Sequence, residues 1–438
     1  MKISVIGTGY VGLVSGSCLS DFGLSVICVD IDKAKIELLK NGEIPIYEPG
    51  LKDFIERNTR YKRLEFTTDI QFAVENSQVI MIAVGTPSKE DGTADLGAVF
   101  EVAKNIGQYL NEYKVVVVKS TVPLGTNRQI QSIIEAELQK RKMTVSFDMV
   151  SNPEFLRQGS AVHDFTHPDR VVIGAENQKA IDIMKEVYRV LFLNETPFII
   201  TNIETAEMIK YAANAFLATK ITFINEIANL CENTGANVQH VAKAIGMDGR
   251  IGSKFLHPGP GFGGSCFPKD TLALNTIAKQ YNSPLTIIEA VIQANLKQKL
   301  RMVTKIENAL GNLTGKTIGM LGLTFKPNTN DMRDAPSLTI ISELTKRGAL
   351  VKTFDPEGIT DARKYLGNNQ AVIYCDNEYE VAKGSNAIVI ITEWHQFRKL
   401  NLEQIKSLLA EPYFFDLRNI YNRAEVEREG MTYFGVGV

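Results

Sequence analysis

The chain has 438 residues, which exceeds the size of one ordinary hydrophobic core, so we expect two or three domains. Its 44% apolar and 22% charged residues are typical of a soluble globular protein. A net charge of −2 excludes a global basic field, so neither nucleic acid nor an anionic membrane is expected as a partner. The sequence contains no apolar run of 18 residues, which predicts no membrane span.

The five cysteines are scattered, form no CxxC pair and are odd in number. This distribution favours a reducing, cytoplasmic location and argues against a disulfide framework or a zinc site. His163 and His167 have the spacing of metal ligands, but Pro168 interrupts their segment and no second ligand cluster accompanies them. We therefore expect no metal.

The first 30 residues combine a strand, a glycine motif, a helix, a second strand and an acid. Lys2–Ile6 is predicted as a buried strand, a helix is expected from about Val11 to Phe22, and Ser25–Val29 is predicted as the next strand. The motif Gly7-Thr8-Gly9-Tyr10-Val11-Gly12 joins the first strand to the helix, and Asp30 ends the second strand. In this context a GxGxxG motif indicates a dinucleotide site.

Each part of this motif has a physical role. Gly7 makes a tight turn, Gly9 lets the backbone approach a pyrophosphate, and Gly12 lets the helix pack on the strand. The helix N-terminus attracts the phosphates. Asp30 can bind the adenosine ribose and disfavours a 2′-phosphate, so NAD is preferred over NADP. Lys33 and Lys35 are alternatively solvated helix residues or groups that soften this preference.

Small polar loops follow the next predicted strands. Val79–Val84 precedes a loop containing Thr86, Val115–Val118 precedes one containing Thr121, and Ser146–Val150 precedes one containing Glu154. Ligands bind at the carboxyl ends of strands in a doubly wound sheet, so these loops are expected to line a site. Glu154 is either an acid acting on substrate or water, or a turn residue.

The middle of the chain is predicted to be helical. A long helix is expected from Ile203 to about Asn233, and further helices over Val238–Gly246, Asp270–Gln280 and Pro284–Leu310. Lys210 and Asn214 lie four residues apart on one face of the long helix. Lys210 is either a snorkelling surface group or, if it points into a cleft, a group that stabilises an oxyanion. The long apolar helix is also a plausible dimer seam.

The loop Gly261-Phe262-Gly263-Gly264-Ser265-Cys266 carries a cysteine just before a predicted helix, followed by Lys269 and Asp270. Its three glycines are expected to let the backbone come close to a ligand. A helix N-terminus and a neighbouring lysine both favour a thiolate, so Cys266 is a candidate nucleophile. The alternative is a small buried hydrophobic residue.

The last third repeats the strand–helix–strand–acid order without a GxGxxG motif. Strand Lys316–Leu323, helix Pro336–Arg347 and strand Leu350–Phe354 lead to an acid at position 355. A second nucleotide-binding fold for a different ligand is expected here, with Lys326 and Arg333 supplying charge for phosphates. Arg418 follows a later strand.

The predicted fold is therefore α/β, with two Rossmann-like doubly wound domains joined by a central α-helical domain with a long linker helix. We expect an NAD-binding domain over residues 1–200, a helical dimerisation domain over 201–312 and a second nucleotide-binding domain for a different ligand over 313–438.

A cysteine nucleophile beside an NAD site indicates a particular reaction. A simple alcohol dehydrogenase needs no thiolate, whereas oxidation of an aldehyde to an acid uses one. The thiolate adds to the carbonyl, the thiohemiacetal loses hydride, and water hydrolyses the thioester. The chain is thus predicted to oxidise an alcohol twice at one site.

Five motifs in order, GTGYVGLVSG, NPEFL, KYAANAFLA, PGPGFGGSCFPKD and GLTFKPNTNDMRDAPS, resemble those of the UDP-glucose 6-dehydrogenases in the UDP-glucose/GDP-mannose dehydrogenase family. The resemblance covers essentially the whole chain. It implies conversion of UDP-glucose, two NAD and water to UDP-glucuronate and two NADH. We expect a homo-oligomer, with a homodimer favoured and a hexamer as the open alternative. Surface polysaccharide synthesis is the pathway expected of the family.

The resemblance also implies roles for individual residues. Cys266 would be the nucleophile, Lys210 would stabilise the oxyanion, and Asn214 and Asp270 would position water. Thr121 and Glu154 would lie near the reacting carbon and a hydrolytic water. The implied NAD contacts are Gly7, Gly9, Tyr10, Val11, Gly12, Asp30, Lys35, Thr86, Thr121, Glu154, Lys269 and Arg333. The implied substrate contacts are Glu154, Phe155, Leu156, Lys210, Asn214, Arg250, Lys254, Phe255, Gly261, Lys326 and Arg418, with Arg250 reaching a neighbouring subunit's site in many members.

Three alternatives stay open at this stage. The same chemistry on GDP-mannose or on a UDP-N-acetylhexosamine differs only in a few pocket contacts. A two-electron dehydrogenase of the hydroxyacid type leaves Cys266 and the third domain without a purpose. A non-catalytic NAD-binding protein has no need of Cys266, Lys210 and Asp270.

Overall fold

The computed structural model describes residues 1–89 and 91–438, which form two compact units, residues 1–213 and 214–438. The first unit is built on an eight-stranded sheet of order β3-β2-β1-β4-β5-β6-β7-β8. Its strands are β1 (Lys2–Ile6), β2 (Ser25–Val29), β3 (Leu64–Thr67), β4 (Val79–Ile82), β5 (Lys114–Val118), β6 (Phe147–Ser151), β7 (Val171–Gly174) and β8 (Phe198–Thr201). In the described residues β1 to β6 pair in parallel, and β7 joins β6 in antiparallel fashion.

Helices cover the two faces of this sheet. They are α1 (Tyr10–Asp21), α2 (Lys33–Lys40), α3 (Leu51–Arg60), α4 (Ile70–Asn76), α5 (Gly97–Tyr109), α6 (Thr126–Lys140), α7 (Ala161–Thr166) and α8 (Gln178–Val187), followed by a 3₁₀ turn at Arg189–Asn194. The central strands are buried on both faces, as their continuous runs of Val and Ile predict. Two apolar clusters, one on each face, form the core.

The middle of the chain is helical, as predicted. Helix α9 (Ile203–Thr234) contains the boundary between the two units, and α10 (Val238–Gly246), α11 (Phe267–Gln280) and α12 (Thr286–Leu310) follow it. Residues 203–316 are all described and contain no strand. No helix in the described residues is both long enough and apolar enough to cross a membrane.

The second unit contains a six-stranded parallel sheet of order β11-β10-β9-β12-β13-β14. Its strands are β9 (Thr317–Leu321), β10 (Leu350–Phe354), β11 (Val372–Tyr374), β12 (Ala387–Ile390), β13 (Tyr413–Asp416) and β14 (Thr432–Phe434). Its helices are α13 (Pro336–Lys346), α14 (Ile359–Leu366), α15 (Glu378–Ala382), α16 (Leu402–Leu408) and α17 (Arg423–Arg428), with a 3₁₀ turn at His395–Lys399.

The predicted fold class is confirmed, because both sheets have Rossmann-type strand order and a helical region lies between them in the chain. Strand β4 ends at Ile82 and β9 at Leu321, each two residues before the predicted end. The chain leaves the ladder early there to form the loops at the sheet edge. The three predicted domains, 1–200, 201–312 and 313–438, stay a prediction.

Candidate active site

The first nucleotide loop joins β1 to α1, and its three glycines differ in their surroundings. Gly7 has a left-handed φ of +104°, which only glycine adopts readily. A Cβ on Gly12 would lie 1.8 Å from the Gly7 carbonyl oxygen, so Gly12 allows the closest approach of helix to loop. A Cβ on Gly9 would meet no heavy atom of the described residues within 4 Å. The open side at Gly9 and the free N-terminus of α1 fit a pyrophosphate.

Asp30 lies at the end of β2 and is held by four donors. Its carboxylate accepts hydrogen bonds from the Thr8 amide (2.9 Å), the Thr8 hydroxyl (2.7 Å) and the Asp32 amide (3.0 Å), and Lys35 Nζ lies 3.0 Å away. Burial acts to raise the pKa of Asp30, but these donors together lower it to about 2. The carboxylate is therefore ionised at neutral pH, as a ribose acceptor requires. Lys35 pairs with this acid, which decides against a purely solvated role.

The loops after β4 and β5 are tied to one another. The Thr86 hydroxyl donates to the Thr121 carbonyl oxygen (2.8 Å), and the Ser120 hydroxyl donates to the Val84 carbonyl oxygen (2.7 Å). Thr86 and Thr121 are thus brought together at the carboxyl edge of the sheet, as their positions after neighbouring strands predict.

Glu154 and Lys210 form a buried ion pair within the first unit. Their Oε1 and Nζ atoms are 3.2 Å apart, and the side chains are 7% and 5% exposed. The Glu154 carboxylate also accepts a hydrogen bond from the Leu156 amide, so it is a turn acid and an ion-pair partner together. Lys210 Nζ lies 5.3 Å from the centre of the Phe155 ring. Lys210 is therefore not a surface group.

Two buried networks that support this edge were not predicted. Lys119 Nζ lies 3.2 Å from both the Asn152 side-chain oxygen and the Tyr188 hydroxyl, beneath the turn that carries Glu154. Glu48 accepts a hydrogen bond from the Tyr10 hydroxyl and one from the Ala161 amide (2.7 Å). Burial, and then the hydrogen bond and charge of Glu48, raise the pKa of Tyr10. The only local signal for Glu48 was its position before the Pro49-Gly50 turn.

In the second unit, Cys266 is the residue that caps α11 at its N-terminus, as predicted. The Asp270 amide donates to the Cys266 carbonyl oxygen (2.8 Å), and Pro268 occupies the first helical turn. All five cysteines are described, and Cys266 alone is partly exposed, whereas Cys18, Cys28, Cys231 and Cys375 are buried. A partly exposed thiol at a helix N-terminus is the setting in which a thiolate is favoured.

Asn214, Lys269 and Asp270 meet around one carboxylate. The Asn214 amide group donates to Asp270 Oδ2 (2.6 Å), and Lys269 Nζ lies 2.7 Å from Asp270 Oδ1. Asp270 is buried with both partners in place. The structure thus brings Asn214 to Asp270, which lies 56 positions later in the sequence. It also pairs Lys269 with the carboxylate of its neighbour Asp270.

Arg333 connects the loop after β9 to the cysteine. Burial opposes its charge, but hydrogen bonding to Asp331, the charge of Asp331 and the charge of Cys266 raise the pKa of Arg333. The Gly264 amide donates to the Arg333 carbonyl oxygen (2.8 Å), and a Cβ on Gly263 would lie 2.4 Å from the Asp334 carbonyl oxygen. The glycines of the cysteine loop therefore allow close approach of the chain's own backbone.

The remaining predicted substrate residues have varied surroundings. Arg250 is exposed and pairs with Asp248, and Lys254 is exposed. Phe255 has a left-handed φ of 66° and its ring lies 6.0 Å from that of Phe267.

Two basic residues, Lys326 and Arg418, follow strands β9 and β13 of the second sheet. Lys326 Nζ lies 5.5 Å from the Phe325 ring centre. Arg418 donates to the Ile391 carbonyl oxygen (2.6 Å) and pairs with Glu393, so its guanidinium is partly engaged by the protein.

A dinucleotide loop with an ionised acid, a second Rossmann-like sheet and a partly exposed cysteine define a nucleotide-dependent oxidoreductase. Comparison with family models agrees in all three parts of the chain. Residues 1–192, 204–297 and 319–423 match the NAD binding, central and UDP binding domains of the UDP-glucose/GDP-mannose dehydrogenase family.

The similarity to individual relatives covers the whole chain. It is 51% identical to a UDP-glucose 6-dehydrogenase of Rhizobium meliloti (strain 1021), over 100% of this chain and 99% of the relative. Its fold matches a UDP-glucose dehydrogenase from Pyrobaculum islandicum (TM-score 0.91, 36% identity, 100% and 97% covered) and a UDP-D-ManNAc dehydrogenase from Pyrococcus horikoshii (TM-score 0.87, 26% identity, 100% and 99% covered). The chain belongs to the UDP-glucose/GDP-mannose dehydrogenase family. It is an NAD-dependent oxidoreductase, which confirms the predicted enzyme class and cofactor.

The packing at Gly12 gives a stability prediction. We expect Gly12→Ala to lower the free energy of unfolding by about 3 kcal/mol or more, because the added Cβ overlaps the Gly7 carbonyl. Urea unfolding measures this difference. Gly9→Ala is the matched control and should unfold like the parent, because its Cβ has open space. Equal stability of the two variants would contradict the packing argument.

The environment of Asp30 gives a binding prediction. We expect Asp30→Asn to weaken NAD binding by about 10- to 100-fold, the effect of losing a charged hydrogen-bond partner, and to reduce the preference for NAD over NADP. Because the pKa of Asp30 is about 2, this group should cause no change in NAD affinity between pH 5 and 8. Titration calorimetry tests both points, and Lys40→Met, at the exposed C-terminal end of α2, is the control. Unchanged NAD affinity in Asp30→Asn would remove the acid from the site.

Proposed function

We propose that this chain oxidises UDP-glucose to UDP-glucuronate in two successive two-electron steps at one site, using two NAD and one water. The observation that carries the proposal is Cys266, a partly exposed cysteine at the N-terminus of α11, whose first turn also carries Lys269 and Asp270. Asp270 is paired there with Lys269 and with Asn214 of α9. An alcohol dehydrogenase that stops at the aldehyde has no use for this thiol. When bound, NAD supplies a hydride acceptor for each oxidation.

In the first oxidation, the C6 hydroxyl of the sugar loses its proton and its carbon loses a hydride. Lys210 and Glu154 are the groups assigned to this step, with Thr121 beside the reacting carbon. Lys210 stabilises the developing negative oxygen, because a buried cation acts strongly on a charge formed in a site of low dielectric. Glu154 accepts a proton directly or through water.

In the second oxidation, the Cys266 thiolate adds to the aldehyde carbon, forming an S–C bond and a thiohemiacetal. Loss of hydride from that carbon leaves a thioester. Water then attacks the thioester carbon, the S–C bond breaks, and the electron pair returns to sulfur as thiolate. The charge of Cys266 is one of the causes that raise the pKa of Arg333. We assign to the Arg333 guanidinium the role of stabilising a thiolate at Cys266.

Asn214 and Asp270 are assigned to the hydrolytic water. Their side chains are joined by a 2.6 Å hydrogen bond, and Lys269 balances the charge of the buried carboxylate. A carboxylate fixed by two partners has a defined orientation, so it can hold a water molecule in one direction of attack.

The UDP-sugar is assigned to the contacts that the family resemblance implies. Phe155 and Leu156 would offer backbone, Gly261 would allow close approach, and Lys326 and Arg418 would supply positive charge. Arg250, Lys254 and Phe255 complete the proposed set, in which the exposed Arg250 is available to a neighbouring subunit.

Sugar choice is the nearest alternative. The 51% identity to a relative named for UDP-glucose, against 26% identity to the solved UDP-D-ManNAc enzyme, favours UDP-glucose. GDP-mannose and UDP-N-acetylhexosamines are the substrates to test next, because a few contacts decide between sugars. Two further alternatives are a two-electron hydroxyacid-type enzyme and a non-catalytic NAD-binding protein. In either of them Cys266 and the neighbouring Lys269 and Asp270 would have no role.

We also propose a homodimer through α9. Phe216, Phe223 and Leu230 recur every seven residues along this helix and are 65%, 50% and 58% exposed in the single chain. An apolar stripe of this length on a soluble protein is typical of an interface. Sedimentation at micromolar concentration should give a dimer, and Phe223→Glu should shift it toward monomer. A parent that sediments as a monomer would refute the assignment.

The decisive experiment is the number of NADH formed per UDP-glucose consumed, at completion and with excess NAD. We expect a ratio near two, because both oxidations take place before release. A ratio near one would mean that the reaction stops at the aldehyde, and the thioester mechanism would be wrong. If no NADH forms with UDP-glucose, the same assay with GDP-mannose and UDP-N-acetylhexosamines identifies the sugar or rejects catalysis.

Cys266→Ser completes this test. We expect steady turnover to fall by about three orders of magnitude or more, because a serine hydroxyl at its ordinary pKa is a poor nucleophile. Cys375→Ala, which removes a buried thiol just after β11, is the matched control and should keep its activity. Normal turnover in Cys266→Ser would exclude a covalent thioester.

A further inference from the structure

Buried carboxamide side chains hold the backbone of Phe262 in the cysteine loop and of Gly259 just before that loop. Asn225 of α9 accepts a hydrogen bond from the Gly259 amide (2.8 Å), and Gln298 of α12 donates to the Gly259 carbonyl oxygen (2.9 Å). Asn295 of α12 makes two bonds to a single residue. Its oxygen accepts from the Phe262 amide (2.8 Å) and its nitrogen donates to the Phe262 carbonyl oxygen (3.1 Å). The Asn295 side chain thus bonds to both the amide and the carbonyl group of Phe262, as the backbone of a neighbouring strand would.

Asn295 suits this position because a carboxamide is neutral and carries one acceptor and one donor group. Both groups of Phe262 are satisfied in a buried setting, where an unpaired amide or carbonyl is unfavourable. The adjacent Gly261 has a φ of +108°, and a Cβ there would lie 2.9 Å from Asn295 Oδ1. We call the two hydrogen bonds between Asn295 and Phe262 the Asn295 clamp. The clamp requires the asparagine for its bonds and Gly261 for the space beside them.

The clamp lies four residues before Cys266, and the intervening chain is also fixed. The Gly264 amide bonds to the Arg333 carbonyl oxygen (2.8 Å), and the Phe262 ring meets the Phe267 ring edge-on at 6.0 Å. Lys299, one turn after Asn295, donates to the Asp334 carbonyl oxygen (3.0 Å). Helix α12 therefore holds both the cysteine loop and the backbone against which that loop packs.

We infer that Asn295 is a positioning residue for Cys266, acting through its two hydrogen bonds to Phe262. The inference rests on the proposed function for its effect on turnover, but its effect on the thiol does not depend on that function. Displacing a nucleophile by about 1 Å reduces a rate by about 100-fold even when the displaced group keeps its chemistry.

The test compares Asn295→Asp with the parent at pH 8, since aspartate has nearly the same size but lacks the amide donor. We expect kcat to fall about 10- to 100-fold, with KM for UDP-glucose within about threefold of the parent. We also expect the rate of Cys266 alkylation by iodoacetamide in the free enzyme to fall about tenfold. Gln293→Ala, on the exposed side of the same helix, is the matched control and should match the parent in both.

A second variant keeps the test independent of folding defects in the first. Gly261→Ala places a methyl group against Asn295 and should slow alkylation in the same direction. If both substitutions act through the Asn295 clamp, the alkylation rate of the double variant should fall by much less than the product of the two single fold-changes. Thermal unfolding of every variant shows whether the fold is kept.

The outcomes separate the two proposals. Parent-like alkylation in folded Asn295→Asp, or independent effects of the two substitutions, would overturn the positioning role. Full activity of a parent enzyme alkylated at Cys266 would instead overturn the thioester mechanism and leave the alkylation comparison as the test of Asn295.

Discussion

One hydrogen-bond arrangement recurs in both sheets, and the nucleotide-binding edges depend on it. An acid at the end of the second strand accepts hydrogen bonds from the backbone and hydroxyl of a threonine just after the first strand. In the first unit Asp30 binds Thr8, at 2.9 and 2.7 Å. In the second unit Asp355 binds Thr324, at 3.1 and 3.2 Å. In each unit this arrangement ties the loop after the first strand to the end of the second strand, and in the first unit the bonded threonine lies two residues before α1.

The two acids differ in what they leave free. The Asp30 side chain is 11% exposed and shares its charge with Lys35. Asp355 is 1% exposed and also accepts bonds from Trp394 Nε1 (3.1 Å) and from the Gly358 amide (2.7 Å). Asp355 thus accepts from six protein donors, against four around Asp30, and its almost complete burial leaves little capacity for a ribose. The second sheet therefore repeats the architecture of the first without its mode of dinucleotide recognition, in agreement with the missing GxGxxG motif.

Local patterns in the sequence were enough for most strands and for the cysteine at the helix start. The runs of Val and Ile in β4 and β5 and the glycines before α1 have their signals within a few residues. The carboxamide of Asn295 has none, because its partner Phe262 lies 33 residues away and an asparagine inside a helix resembles a solvated residue. Glu48, which meets Ala161 113 residues later, was missed for the same reason. Contacts at long range depend on the fold, and no local pattern encodes them.

The glycines of the cysteine loop were correctly predicted to allow a close approach, but the sequence did not show what approaches them. Their flexibility was attributed to the approach of a ligand, whereas Gly263 and Gly264 are packed against Asp334 and Phe325 of the loop after β9. That loop also carries Arg333, whose charge is coupled to Cys266. We therefore expect a change in the loop after β9 to reach Cys266, the proposed nucleophile, through the backbone contacts of Gly263 and Gly264. Since the same loop carries Lys326, a residue proposed to bind the UDP-sugar, substrate binding and the position of the thiol share one structural element.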